Sequence, residues 1–253
     1  MVYYRKITMF PGRGAMAEQL YTIPVNDAFS EDCECPLCSI YKKLEEDAIE
    51  FTMGPSYMED DNREVTDKLG FCKRHVKMMY ANKNRLGLAL MLDTHMKKVM
   101  RDLKKAAESP QPKKSLFGGT KEKSAVEEYV GSLDSSCFVC DRIETNFPRY
   151  VNTVFHLWKK DSEFREKFKA CKGFCIHHYG MLYSLSRKEM SGTQYEEFLA
   201  ALNKVFFDNF ERVEGDVSWF IDKYDYRNKD ADWKNSRDAI PRAIIKVNDD
   251  IVE

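Results

Sequence analysis

The chain contains no run approaching the ~20 apolar residues that a membrane-crossing helix requires, so no segment reads as a membrane span. Its first fifteen residues lack the apolar core of a secretory leader. It also lacks a charge excess: 40 Lys and Arg oppose 41 Asp and Glu, for a net charge of −1. That balance provides no general attraction to nucleic acid or to anionic membrane. Lysine pairs at 97–98, 104–105 and 113–114 read as solvated helix faces and linker, with no basic-aromatic cluster beside them. There is no Walker loop, no Rossmann glycine fingerprint and no Ser/His/Asp or Cys/His nucleophile arrangement. Strand-like alternation is nearly absent. These absences set aside membrane, nucleic-acid and common nucleotide-binding classes, and they leave a cytoplasmic protein that leans away from enzyme chemistry.

What the chain does have is eight cysteines, six of them in a repeated pattern. Cys35-Pro-Leu-Cys38 is followed by Gly70-Phe71-Cys72-Lys-Arg-His75, and Cys137-Phe-Val-Cys140 by Gly173-Phe174-Cys175-Ile-His-His178. The stretch between inner cysteines is 33 residues in the first copy and 34 in the second. In a reducing compartment such cysteines are ligands or free thiols rather than disulfides. Zinc takes four N or S donors in a tetrahedron, and each Cys-x2-Cys or Cys-x2-His turn supplies two. The expectation is therefore two zinc ions per chain. Cys35, Cys38, Cys72 and His75 would form one site; Cys137, Cys140, Cys175 and His178 would form the other. An iron–sulfur cluster with one histidine ligand, or metal-free redox thiols, are the alternatives. The glycine before each second pair lets the backbone bend where ligands converge.

Cys33 and Cys171 have no counterparts in the other copy and read as accessory. Cys33 stands near enough to replace Cys35, and His177 near enough to compete with His178, although the first copy has Arg74 at that place. His95 and His156 lie away from every cysteine pair and read as ordinary surface or core histidines.

Helical periods fill the rest. Tyr41, Leu44, Ala48 and Phe51 recur after Cys38, and Gly54-Pro55 ends them. Leu92, Met96, Val99 and Leu103 read as one buried helix face. In the second half, Ile143, Phe147, Val151, Val154 and Trp158 form a stripe that Pro148 should kink or restart. Asp161 should cap the next helix. Thr193 and Glu196 form a capping box opening a long helix that carries Phe198, Leu202, Val205, Phe206, Phe210, Val213, Val217 and Phe220. The expected architecture is all-α, a duplicated helical module with pseudo-twofold symmetry, each copy built around a Cys3His site. Residues 1–15 read as a disordered extension or as upstream of a natural start at Met16. Module one spans 16–107, a Pro/Gly/Ser-rich linker 108–124, module two 125–222, and a polar, aromatic C-terminal segment 223–253.

That last segment has two readings. Asp225, Arg227, Asn228 and Arg242 would line a pocket for an anionic or amide-bearing ligand. Alternatively its Asx side chains satisfy turns and cap a final helix, while Tyr226 and Trp233 anchor it to the bundle. The second fits the composition better.

The stretches Tyr21-Thr-Ile-Pro-Val-Asn-Asp-Ala-Phe29, Asp32-Cys-Glu-Cys-Pro-Leu-Cys38, Gly70-Phe-Cys-x2-His75, Leu88-Ala-Leu-Met-Leu-Asp-Thr-His95 and Asp225-Tyr-Arg-Asn228 together resemble an uncharacterised bacterial family, domain of unknown function 6062. The resemblance covers nearly everything from Met16 onward and implies a cytosolic bacterial protein with paired Cys/His motifs. It implies no activity. The leading expectation is thus a zinc-stabilised binding or scaffold protein with a protein or small-molecule partner. An enzyme using the C-terminal segment, or a zinc–thiolate redox sensor, are its rivals.

Overall fold

The computed structural model describes residues 15–110 and 123–251. Residues 1–14 of the anticipated extension at 1–15, and residues 111–122 of the anticipated linker at 108–124, lie outside them; Ala15 already belongs to the first helix. Among the described residues all regular structure is helical, as the sequence periods require.

The α-helices run α1 Ala15–Ser30, α2 Pro36–Met53, α3 Asp60–Leu69, α4 Lys73–Ala81, α5 Arg85–Ala107, α6 Ala125–Asp134, α7 Phe138–Lys160, α8 Ser162–Ala170, α9 Ile176–Glu189, α10 Gly192–Asp222 and α11 Ala239–Asn248. Short 3-10 turns occupy Pro55–Met58 and Tyr226–Asn228. Several boundaries have local chemical causes. Pro36 opens α2 at the one helical position where a missing N–H costs nothing. Asp161 caps α8 by accepting from the amides of Glu163 and Phe164. A reciprocal Ser124–Glu127 capping box opens α6.

The described residues fold as two compact units, one drawn from the stretches up to 43 and from 146 onward, the other from the stretch 44–145. The shorter unit is thus inserted within the longer one, and the chain passes between them inside α2 and again inside α7. This division does not follow the two sequence modules at 16–107 and 125–222.

In the longer unit, α10 packs on α8, α9 and α11, α1 packs on α8, and α11 packs on α9. Its core is aromatic. Phe29, Phe155, Phe164, Phe168, Phe174 and Phe198 are at most 4% exposed. Phe168 lies within 5.1–5.7 Å, centroid to centroid, of Trp158, Phe174, Phe198 and Phe29. Fully burying one such ring contributes roughly 1.5–3 kcal/mol. In the inserted unit, α5 packs on α3, α4 and α6, with Leu88, Met91 and Met79 buried.

Three local expectations are corrected. Helix α7 does not restart at Pro148 but continues through it; the buried side chains around it, Phe147, Val151, Val154 and Phe155, hold the helix where one backbone bond is lost. The capping box at Thr193 and Glu196 is not used, because α10 begins at Gly192 after Ser191, which makes no side-chain cap bond. Met96 is 68% exposed, so the face with Leu92, Val99 and Leu103 is not a buried stripe. Core contact on α5 concentrates nearer its start, at Gly87, Leu88 and Met91.

Candidate metal centres

All four ligand pairs sit in one local setting. Cys35, Cys72, Cys137 and Cys175 each stand immediately before the first residue of a helix, and Cys38, His75, Cys140 and His178 are the third residues of α2, α4, α7 and α9. At a helix start the first backbone N–H groups lack intrahelical partners and the helix dipole favours negative charge. That setting stabilises thiolates, the form that binds metal. The Sγ of Cys175 uses it directly, accepting from the backbone N–H of His178 at 3.3 Å.

Glycine sets the approach to the two Cys-x2-His turns. Gly70 has φ +59° and Gly173 φ +87°, a left-handed backbone that other residues adopt only at a cost. A Cβ at Gly70 would also meet the ring of His95 at 2.6 Å, and one at Gly173 the carbonyl of Val205 at 3.0 Å. His95 itself bonds through Nδ1 to the Asp67 carbonyl at 2.7 Å. It is a packing histidine, as its isolation from the cysteines indicates.

The tertiary structure pairs these turns differently from the sequence. One cluster joins Cys35, Cys38, Cys175 and His178; the other joins Cys72, His75, Cys137 and Cys140, with the donor atoms of each cluster within 4.8 Å of one another. The expectation that each sequence copy closes its own site is overturned. The Cys-x2-Cys of one copy meets the Cys-x2-His of the other, in both directions. Helix geometry supplies the reason. From Cys38, α2 carries the chain roughly 22 Å, at about 1.5 Å per residue, before it first turns at Gly54. Sequence proximity therefore does not bring Cys72 back to Cys38. The result is nested: the outer centre, at residues 35–38 and 175–178, lies wholly in the longer unit. The inner centre, at 72–75 and 137–140, lies wholly in the inserted unit.

The donor geometry fits a single tetrahedral ion in each. In the outer centre, His178 Nδ1 lies 3.4, 3.4 and 3.2 Å from the Sγ atoms of Cys35, Cys38 and Cys175. In the inner centre, His75 Nδ1 lies 3.2, 3.3 and 3.4 Å from those of Cys72, Cys137 and Cys140. Cys72 and Cys140 are 4.0 Å apart. Bonds of about 2.3 Å to sulfur and 2.0–2.1 Å to nitrogen place tetrahedral edges at roughly 3.6 Å for S···N and 3.8 Å for S···S. Both histidines thus offer Nδ1, which leaves Nε2 facing away.

Without metal the clusters share protons unevenly. Burial alone would raise Cys35, but hydrogen bonds from Cys175 and Cys38 and the charge of His178 hold it well below the usual thiol range. Hydrogen bonds from Cys137 and Cys140 hold Cys72 low in the same way, against burial. Cys38 and Cys140, donors in these contacts, are pushed up. Burial disfavours charge on both imidazoles, yet the surrounding sulfurs outweigh it. His75 rises to about 11, helped by bonds to Cys137 and Cys72, and His178 to about 10 through Cys35 and Cys175.

Surroundings differ between the centres. The outer one is fully buried, with His178 1% and Cys175 0% exposed. In the inner one Cys72 and Cys140 are only partly buried. His75 Nε2 donates to Glu45 Oε1 at 2.9 Å, and Arg74 forks onto the same carboxylate at 2.7 and 2.8 Å. Burial opposes the charge on Glu45, but the His75 and Arg74 hydrogen bonds hold it down at about 2. This carboxylate–histidine arrangement orients a metal-binding imidazole and raises its basicity. Neither Glu45 nor the buried Glu34–Lys246 contact behind the outer centre is signalled by ligand spacing, because such partners come from remote segments. The flanking Arg74, inside the Cys-x2-His turn, was the one local cue.

The remaining candidates fall outside the clusters. Cys33 and Cys171 are not in either donor set; burial pushes each thiol up to about 12. His177 is exposed and leaves the position to His178. Asp225 and Arg227 pair with each other on the surface at 2.6 Å. Asp225 also accepts from the Arg227 backbone N–H, and Asn228 donates to the Asp222 carbonyl. Arg242 instead binds Asp216 at 2.8 Å and Asp238 at 2.9 Å. The turn-forming part of the second reading describes these contacts. Two of its details fail: Asp238 stands at the start of α11 but makes no side-chain cap bond, and Tyr226 is 86% exposed and anchors nothing, whereas Trp233 packs on Phe220 at 5.8 Å. Lys223 organises the loop by donating to the carbonyls of Asn228, Lys229 and Ala231.

No curated protein and no solved structure matches the chain in sequence searches. One family model does, described as a family of unknown function, and it spans residues 16–253. A match over that length, carrying all eight cluster residues, settles the relationship: the chain belongs to family DUF6062.

Proposed function

We propose that each cluster holds one zinc ion and that the protein is a zinc-stabilised helical binding or scaffold protein. The observation that carries this reading is the donor set. Three sulfurs and one imidazole nitrogen, at tetrahedral edge distances and in a largely buried setting, match the ligands and coordination number of structural zinc. Four protein donors fill the tetrahedron and leave no position for water or substrate, which argues against zinc-dependent hydrolysis. The ligand thiols need a reducing compartment, in keeping with a cytoplasmic protein. Its partner would be another protein or a small molecule; the balanced charge of −1 speaks against nucleic acid, and no helix among the described residues is long and apolar enough to cross a membrane. Elemental analysis of purified chain tests the reading. Two zinc ions per chain are expected; iron with sulfide, or no metal, sinks it.

One observation favours a second reading for the inner centre alone. Cys72 and Cys140 are partly exposed there, while all four outer donors are buried. A redox-sensing role for the inner ion follows from thiolate access. Mild peroxide would release one ion and leave the other; simultaneous loss of both would count against it.

A further inference from the structure

We propose that Lys246 is a positioning residue for the outer metal centre, and that its ammonium couples docking of helix α11 to occupancy of that centre. The inference rests on the metal reading above.

Lys246 lies on α11 and is 1% exposed. Its Nζ donates to the backbone carbonyl of Glu34 at 2.7 Å and to that of Lys172 at 2.5 Å, and it meets Glu34 Oε2 at 3.1 Å. An ammonium has three N–H donors and no acceptor; here all three find oxygen. The two carbonyls belong to different ligand loops. Glu34 directly precedes Cys35, and Lys172 lies three residues before Cys175. One side chain from the end of the chain therefore joins both halves of the outer centre from behind. Gly173 leaves the space for it, since a Cβ there would sit 3.3 Å from Nζ. Glu34, the counter-charge, is itself 5% exposed and also pairs with Arg212 and, at 4.0 Å, with Arg242.

A buried ammonium tolerates no missing partner. Its three acceptors are together only while the Cys35 loop and the Cys175 loop are together. Metal holds those loops by four bonds. When the ion leaves and the loops part, Lys246 loses an acceptor, and α11 is held by its packing on α9 and α10 and by the Arg242–Asp216 pair. By linkage the coupling is reciprocal: a docked α11 must raise the affinity of the outer centre for its ion. Among the described residues no buried lysine bridges the two ligand turns of the inner centre; the ring of His95 lies against Gly70 there. The inner centre serves as an internal control within the same chain.

The test uses the full zinc-loaded chain and follows transfer of both ions to a chromogenic chelator. Cys35→Ser, expected to keep only the inner ion, identifies which release phase belongs to which centre. Lys246→Met keeps the length and removes the donors; Lys246→Gln keeps one amide donor. Lys246→Met should weaken the outer centre by about 10- to 100-fold in affinity, the usual effect of removing a partner behind the ligands, and the outer phase should be correspondingly faster. Lys246→Gln should fall between, and the inner phase should not move. Independently, amides of residues 239–248 should lose hydrogen-exchange protection in Cys35→Ser. Unchanged release from a Lys246→Met chain that carries two ions would overturn this proposal and leave the metal reading standing. So would equal acceleration of both phases, which would mark general loosening. A wild-type chain that binds no metal would overturn the metal reading itself, and this proposal with it.

Discussion

Two double substitutions distinguish the nested pairing from pairing within each sequence copy. Cys38→Ser with Cys175→Ser removes two donors from the outer centre alone, whereas Cys38→Ser with Cys72→Ser removes one from each. Structural zinc binding is on the order of 10 kcal/mol in small zinc peptides. An even share per ligand is then about 2.5 kcal/mol, approaching a factor of about 100 in affinity. Against a chelator buffered just above the wild-type dissociation constant, one lost thiolate is enough to empty a centre. The first variant should retain one ion and the second none. Chain entropy does not blur this. The outer centre joins residues 140 and 143 apart and the inner one residues 62 and 65 apart, about one doubling, which changes loop closure by only ~0.6 kcal/mol. At free zinc a thousandfold above the dissociation constant, each ion contributes about 4.1 kcal/mol. At about 2–4 °C per kcal/mol for a chain of this size, the first variant should melt roughly 8–16 °C lower; the second, which loses about 2.7 kcal/mol from each centre, roughly 11–22 °C lower. Elemental analysis and calorimetry read both quantities. If the Cys38/Cys175 variant loses both ions while the Cys38/Cys72 variant keeps one, the pairing described here is wrong.

Glu45→Gln leaves an acceptor for His75 but removes the charge that Arg74 shares, so inner-centre zinc affinity should fall about 10- to 100-fold with the outer ion unaffected; competition titration resolves the two. Metal-free His75 and His178, at about 11 and about 10, each hold an extra proton at pH 7 that an incoming ion must displace. Loading should therefore release at least one proton per ion into weakly buffered indicator, and affinity should fall as pH is lowered; zinc uptake without proton release contradicts this. Gly70→Ala forces a left-handed alanine, about 1–2 kcal/mol from the backbone alone, and drives its Cβ into His95; denaturant unfolding should show at least that loss. Arg227→Ala removes only a surface pair with Asp225 and should leave melting and metal content unchanged, as solvent-exposed pairs usually do; a marked drop in either would revive a ligand-binding role for that segment.

Much of this protein is legible in one dimension because its causes are local. Helical periods, Asp161 as a cap, the breaks at Gly54 and the bends at Gly70 and Gly173 all follow from residues within a turn or two of the feature. So do the eight candidate ligands, since each Cys-x2-Cys or Cys-x2-His turn needs only a helix start to aim two donors the same way. Exposure along the second half of α5, and the passage of α7 through Pro148, were decided by what packs against those helices. The pairing of ligand turns, the insertion of residues 44–145 within the longer unit, and the partners Glu45 and Lys246 required the tertiary structure. A tetrahedral centre needs two helix starts face to face, and rigid helices of 18 and 23 residues carry the chain away from its own motif. Which starts meet is therefore determined by how those helices pack, and local spacing carries no record of it.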